Sequence, residues 1–413
     1  MSAADGSSGA APAEATLRSI GVSLYLPAFL FAIGQGAVIP IVALVAKDLG
    51  ASVAMAGVVV AVRGIGTMLF DIPAGSLVSR YGERRAMAVA TSLLIVSLLG
   101  CVVSRSVALF TFFMFVMGCG WSVWLLARLA YVSDVMPVHL RGRALSVLGG
   151  TMRIGNFIGP FLGAVAIGWW GLDGAYFVHI VLAAAGLAAL LLIRDPHRQS
   201  AHVHAPVSFR AVGRAHANIW LTAGVGALCI GVLRASRQAI LPLWSDNVGL
   251  DAAAISVIFG ISSGMDMTLF YPAGSISDRW GRKFVAVPCM SILAIGFLLL
   301  PMAHSFGTVV LVGLVLGFGN GLGSGIVMTL GADFSPLLGR AEFLGLWRLV
   351  GDVGTAGGPL LAAALTSAAG LGPASVATAA IGFAGATVVL LRMPEPLHRA
   401  HQPVSDEAEG IVA

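Results

Sequence analysis

The sequence specifies an all-α polytopic membrane protein, with twelve transmembrane helices in two pseudo-symmetric six-helix bundles. Three observations lead there. First, 58% of the 413 residues are hydrophobic and only 10% are charged, with a mean hydropathy of +0.93; so little polar residue does not cover the surface of a soluble globule. Second, the chain holds twelve apolar runs, each of the ~20 residues that crossing ~30 Å of hydrocarbon requires. Third, a short basic hinge occurs twice at half the chain length, the mark of a duplicated molecule.

The first 19 residues are rich in Ala, Gly and Ser and include Asp5 and Glu14. They lack the basic start and short apolar core of a signal peptide and read as a disordered cytoplasmic tail. Apolar runs then start near residues 20, 54, 86, 107, 144 and 174, giving a bundle over 20–193. A polar, proline-broken linker covers 194–217. Further runs start near 218, 252, 284, 306, 343 and 372, giving a second bundle over 218–392 and a tail over 393–413. An even number of crossings puts both tails on one side. Of 24 Lys and Arg, only Lys47 and Arg105 fall in loops opposite the tails, so the tails are expected in the cytoplasm of a multi-pass inner (plasma) membrane protein.

The first hinge reads Pro73-Ala-Gly75-Ser-Leu-Val-Ser-Arg80-Tyr-Gly82-Glu-Arg84-Arg85, and the second Pro272-Ala-Gly274-Ser-Ile-Ser-Asp278-Arg279-Trp-Gly281-Arg282-Lys283. Pro and Gly are expected to end one helix, Gly82 or Gly281 to reverse a very short loop, and the basic cluster to resist crossing the bilayer. The offset of 199 residues extends further. It carries Asp134, Pro137, Arg141, Gly155, Gly159 and Pro160 onto Asp333, Pro336, Arg340, Gly354, Gly358 and Pro359. On these residues the chain resembles the major facilitator superfamily, whose loop signature recurs between spans two and three and between eight and nine. The resemblance implies two bundles around a central cavity that opens alternately to either side. It also implies that the hinge bases engage the acid closing the neighbouring hairpin: Arg80 and Arg84 with Asp134, Arg279 and Arg282 with Asp333. The first copy has Ser79 where Asp278 supplies the usual carboxylate.

Span five carries Gly155-Asn-Phe-Ile-Gly159-Pro160-Phe-Leu-Gly163-Ala164, similar to the superfamily's antiporter signature with Ala164 in place of the last Gly. Glycine at every fourth position lets another backbone pack close, and Pro160 bends the helix. Ordinary small-residue packing accounts for the same pattern, which Gly317, Gly321 and Gly325 also show.

Charges inside the membrane are costly, which makes each a functional candidate, with helix-locking ion pairs the plain alternative. They are Arg63, Asp71, Arg128, Arg153, Arg234, Arg237, Asp266, Arg348 and Asp352. Counting ~1.5 Å per residue puts Asp71 ~6 Å and Arg63 ~18 Å above Gly75, and Arg348 ~9 Å and Asp352 ~15 Å above Glu342. The resemblance sets span two against eleven and five against eight. Three cross-bundle pairs are therefore expected when the cytoplasmic side is closed: Asp71 with Arg348, Arg63 with Asp352, and Arg153 with Asp266. Protonating an Asp would weaken such a pair and shift the balance between the two open states. Arg348 and Asp352 also stand at i and i+4, where a local pair competes.

The resemblance makes spans one, four, seven and ten the cavity wall, with Gln35, Trp121, Trp124, Arg128, Arg234, Arg237 and Asn320 as its polar and aromatic content. Two departures from drug/proton antiporters bear on substrate. Span one is uncharged from Ile20 to Ala46, and the stretch from Phe112 to Met117 has no Arg. Six Arg against three Asp in the membrane favour anionic, zwitterionic or neutral substrates over cationic drugs.

Other chemistry finds little footing. Gly260-Ile-Ser-Ser-Gly264 matches a nucleophile-elbow pattern but lies within an apolar run with no His placed as base. His179 reads as structural. The pair His202 and His204 has no further ligand beside it, and Cys101, Cys119, Cys229 and Cys289 lack metal or redox spacing. No enzyme activity, cofactor, metal or nucleic-acid partner is expected, and the expected partners are a small-molecule substrate, protons and the lipid bilayer, with the chain a monomer. The expected function is export of small amphipathic organic molecules by proton antiport; the alternative is transport or exchange of organic anions or lipid-like solutes, with or without proton coupling.

Overall fold

The structure, a computed structural model, describes residues 24–192, 209–336 and 339–396, and every regular element among them is helical. The spans are one (Leu26–Asp48), two (Val53–Tyr81), three (Glu83–Val103), four (Val107–Val135), five (Val138–Trp170) and six (Asp173–Leu192). The second bundle holds seven (Ala217–Asn247), eight (Ala252–Trp280), nine (Lys283–Met302), ten (Phe306–Phe334), eleven (Arg340–Ala369) and twelve (Leu371–Arg392). Eleven of these hold a stretch long and apolar enough to cross a membrane. Span five is long enough, but Arg141, Arg143, Arg153 and Asn156 dilute its apolar character. It begins at Val138, ahead of its apolar run, because Pro137 at the N-cap starts the helix in the polar turn.

The duplication is written in the punctuation of the helices. Ser52 and Asp251, 199 residues apart, each cap the span that follows by accepting a backbone N–H, from Met55 and Ala254. Ser106 and Ser305 do the same for spans four and ten. Gly82 and Gly281 end spans two and eight with φ of 80° and 111°, a backbone that a side chain would strain. One expectation is corrected here: Pro73 and Pro272 do not end their helices, which run on to Tyr81 and Trp280. In a span, neighbouring helices and local adjustment tolerate the backbone hydrogen bond that proline removes.

Each half has its own apolar core. Phe110, Leu94, Trp124 and Tyr176 anchor the first; Phe297, Leu293, Phe343 and Trp347 anchor the second. The halves meet along two long seams, span two against eleven and span five against eight. The part of the expected linker that is described forms a short helix, Phe209–Ala215. His202 and His204 lie outside the described residues, as do the first tail and the second beyond Pro396. Glu395 in that second tail docks on the second hinge, accepting from the backbone N–H of Arg282 (2.8 Å) and Lys283 (3.0 Å).

Candidate functional site

The glycine motif of span five builds the wall of the site. Gly155, Gly159 and Gly163 face span one so closely that a Cβ at Gly159 would meet the backbone of Ile33, Gly36 and Ala37. The copy in span eleven does likewise, with Gly354 and Gly358 against Leu228 and Val232 of span seven. Such contact needs residues without side chains, and it fixes the depth at which polar groups on spans one, five, seven and eleven face inward.

Two of the three expected ion pairs are present. On the seam of spans five and eight, Arg153 Nη1 donates to Asp266 Oδ1 at 2.6 Å, and Asn320 Nδ2 donates to Oδ2 at 2.7 Å. On the seam of spans two and eleven, Arg348 Nη2 donates to Asp71 Oδ1 at 2.7 Å, and Ser122 Oγ donates to the same oxygen. The third is corrected. Arg63 lies 6.0 Å from the Trp121 ring centroid, inside the first bundle, and Asp352 stands 3.5 Å from Arg348 on its own helix. The expectation rested on depth along the helix and left out direction around it. Arg63 is eight residues before Asp71, which turns it away from span eleven.

Asp71 and Asp352 therefore share one guanidinium. The offset explains it: Asp352 occupies the place of Arg153, and the place of Asp266 is taken by neutral Thr67, which donates to the carbonyl of Gly118. One seam holds a matched pair; the other holds two carboxylates around one base.

Between the halves lies a cavity of about 220 Å³ lined by Asn156, Arg153, Arg234, Arg237, Asp266 and Asn320, with Gly36, Ile39, Gln238, Phe259 and Ser263 completing the wall. Arg234 Nη2 donates to the carbonyls of Gly323 (2.7 Å) and Asn320 (3.2 Å), and Arg237 Nη2 to Ser262 Oγ (2.8 Å). Of the seven expected cavity residues, Arg234, Arg237 and Asn320 are thus in place. Gln35, Trp121, Trp124 and Arg128 are not on this wall. Trp124 is 2% exposed and stacks on Phe31 at 4.4 Å; Arg128 lies over Trp124 at 4.7 Å. Gln35 and Trp121 line a separate, smaller pocket with Phe31, Arg63 and His179. In the first bundle, stacked rings of Phe31, Trp121 and Trp124 fill the corresponding space, Trp121 and Trp124 standing at the places of Asn320 and Gly323.

Asn156, Gln238 and Ser263 were missed by the sequence reading, although Asn156 stands inside the glycine motif already singled out. Also missed was an ion pair between Lys47 and Asp246, at the ends of spans one and seven away from the hinges. The signal was available: the two are 199 residues apart and opposite in charge.

The hinges differ as well. In the second, Arg282 reaches Asp333 (2.7 Å), Asp278 (2.8 Å) and the Ser277 carbonyl (3.0 Å). Burial works against its charge, yet the bonds to Asp333 and Asp278 outweigh that and raise it above the ordinary arginine value. In the first, Arg84 donates to the Leu190 carbonyl at 2.8 Å and Arg80 lies 5.6 Å from the Tyr81 ring centroid. The expected clasp of these arginines on Asp134 is not among the described contacts. The counterpart of Arg282 at the repeat offset is Glu83, and that of Arg84 is Lys283, which donates to the Leu390 carbonyl at 3.0 Å. What the repeat preserves is a base capping the sixth helix of each bundle.

Comparison with known proteins agrees with this architecture. The sequence profile of the Major Facilitator Superfamily matches residues 24–265 and 223–413, so the chain belongs to that family and is a multi-pass membrane transporter. Among individual proteins, it is 22% identical over 401 residues to the quinolone resistance protein NorA of Staphylococcus aureus, covering 91% of this chain and 96% of that one. It is 26% identical over 220 residues to the multidrug resistance protein Stp of Mycobacterium tuberculosis, covering 51% and 39%. In fold it is similar to a D-xylose–proton symporter (TM-score 0.69, 18% identity, 92% and 99% covered). A bacterial homologue of the lysosomal transporter Spinster gives TM-score 0.76 at 14% identity, with 91% and 97% covered.

Proposed function

We propose that this transporter exports small amphipathic organic molecules across the plasma membrane in exchange for protons, as a monomer with both termini in the cytoplasm. The observation that carries the proton coupling is the cluster of Asp71, Arg348 and Asp352 on the seam between the halves. Two carboxylates around one guanidinium leave a surplus negative charge, and burial makes that charge costly. A proton on the cluster removes the surplus and loosens the hold of Arg348 across the seam, so binding and release of the proton bias the movement of the halves. Export of amphipathic molecules is supported by the names of NorA and Stp, resistance proteins for quinolones and for multiple drugs. The polar and apolar mix of the cavity suits such molecules. The glycine motif, similar to the antiporter signature, supports exchange over symport.

The test is the pH gradient of everted membrane vesicles as amphiphiles are added, with wild type beside Asp352→Asn. Collapse of the gradient by particular compounds, absent in the variant, is the expected result. No collapse by any compound would sink proton antiport, and equal collapse in the variant would remove Asp352 from the coupling. Arginine excess around the cavity favours a second reading, movement of organic anions or lipid-like solutes without proton coupling.

A further inference from the structure

The central cavity holds more positive charge than its own residues neutralise. Three guanidinium groups, Arg153, Arg234 and Arg237, line it, and Asp266 is the one carboxylate among its lining residues. Both oxygens of Asp266 are engaged, Oδ1 by Arg153 and Oδ2 by Asn320. Among the described residues Arg234 and Arg237 hydrogen-bond only neutral groups, two carbonyls and a hydroxyl, and Asp266, already engaged, acts on Arg237 from a distance. Their Nε atoms are buried without a hydrogen-bond partner, and Arg237 as a whole is 6% exposed. Phe259 lies 5.1 Å from the Arg237 guanidinium and holds it in place without neutralising it. A buried cation beside a half-buried one, each with a free donor, is costly unless an anion arrives from outside the chain.

We propose that Arg234 and Arg237 form an anion subsite that takes the carboxylate of an amphipathic organic acid or zwitterion, whose apolar body lies against Ile39 and Phe259. The two arginines stand at i and i+3 and face the cavity together, and a planar guanidinium is suited to a carboxylate. At the offset of 199 the first bundle has Gln35 and Val38 in these places. The subsite thus belongs to one half of the molecule, and the duplicated scaffold does not account for it. It deepens the export reading by naming a substrate class, and rests on that reading only for the direction of movement.

The test measures binding, separately from flux, to the full chain in lipid nanodiscs. Energy transfer from tryptophan reports binding of 1-pyrenebutyrate, 1-pyrenebutanol and 1-pyrenemethylamine, with empty nanodiscs subtracted. The acid is expected to bind about tenfold more tightly than the alcohol, the increment of one charge-assisted contact, and the amine most weakly. In Arg237→Gln and Arg234→Gln the acid and the alcohol should become equal, with circular dichroism confirming the helical content of each variant. Arg237→Lys should keep part of the preference, since it keeps the charge but loses the planar fork. Equal binding of acid and alcohol by the wild type would overturn the proposal even if neither variant folds. So would a preference that survives both Gln variants, or cancellation of the preference by chloride at ordinary salt, which would mark a site for an inorganic anion only. Acid binding without vesicle flux would leave the subsite standing and count against export; flux without acid preference would do the reverse.

Discussion

The two seams between the halves are built on the same backbone plan and hold different chemistry. Where spans five and eight meet, Arg153 and Asp266 form a matched pair at mid-depth, and lower down Phe270 faces Gly149, its ring 3.9 Å from the place of a Cβ. Where spans two and eleven meet, the counterparts of those four residues are Asp352, Thr67, Asp71 and Arg348. The polar pair has moved lower, and an extra carboxylate is left in the place of Arg153. One seam is a clasp whose charges balance. The other carries a charge that its surroundings do not balance, and the proposed proton coupling rests on that imbalance.

The largest expected effect tests the clasp. Asp266→Ala leaves the half-buried Arg153 without its counter-charge; breaking a fully buried pair costs ~3–5 kcal/mol, and the lower end of that range is expected here. Thermal unfolding of the purified protein should show that loss, and the double variant Arg153→Met with Asp266→Leu should recover much of it. A double variant no better than the single one would mean that the pair does more than cancel its own burial cost.

The other seam should respond less. In Asp71→Asn, Arg348 keeps Asp352 as a partner, so the expected loss is ~1–2 kcal/mol, nearer that of a single charged hydrogen bond. Asp71→Asn with Asp352→Asn should fall well beyond the sum of the single changes, because only then is Arg348 bare. Simple additivity in a double-mutant cycle would break the picture of a shared guanidinium.

Smaller effects are expected at the ends. Arg282→Ala removes the bonds to Asp333 and Asp278 and should cost ~1–2 kcal/mol. Arg80→Ala in the first hinge, where no acid clasp is described, should cost less than ~1 kcal/mol in the same unfolding assay. Smallest is Lys47→Met. Its pair with Asp246 is about one-third exposed on both sides, so a change of less than ~1 kcal/mol that shrinks further in high salt is expected.

Residues that act by their own conformational limits were legible in advance. The twelve spans follow from run length, the halves from the 199-residue offset, and the helix ends from Ser52, Asp251, Gly82 and Gly281, whose effects need no distant partner. Depth was legible too, because helical rise is constant, and together with the facing of spans that the resemblance implies it led to the pairs of Asp71 with Arg348 and of Arg153 with Asp266. What failed had a common cause. Arg63 was given the wrong partner, Asp352, because the pairing matched depth and left out facing around the helix. Trp121, Trp124 and Arg128 were assigned to the cavity because nothing local says that Phe31 will stack on the two rings and close the space around them.

Sequence by itself determined the duplicated twelve-span scaffold, the membrane as its solvent and the inventory of buried charges, since each follows from run length, period and the cost of a charge in hydrocarbon. Tertiary structure alone decided which of those charges share a partner and which remain unneutralised. Both depend on the direction each side chain takes around its helix and on how closely glycines such as Gly159 and Gly358 let the neighbouring backbones approach.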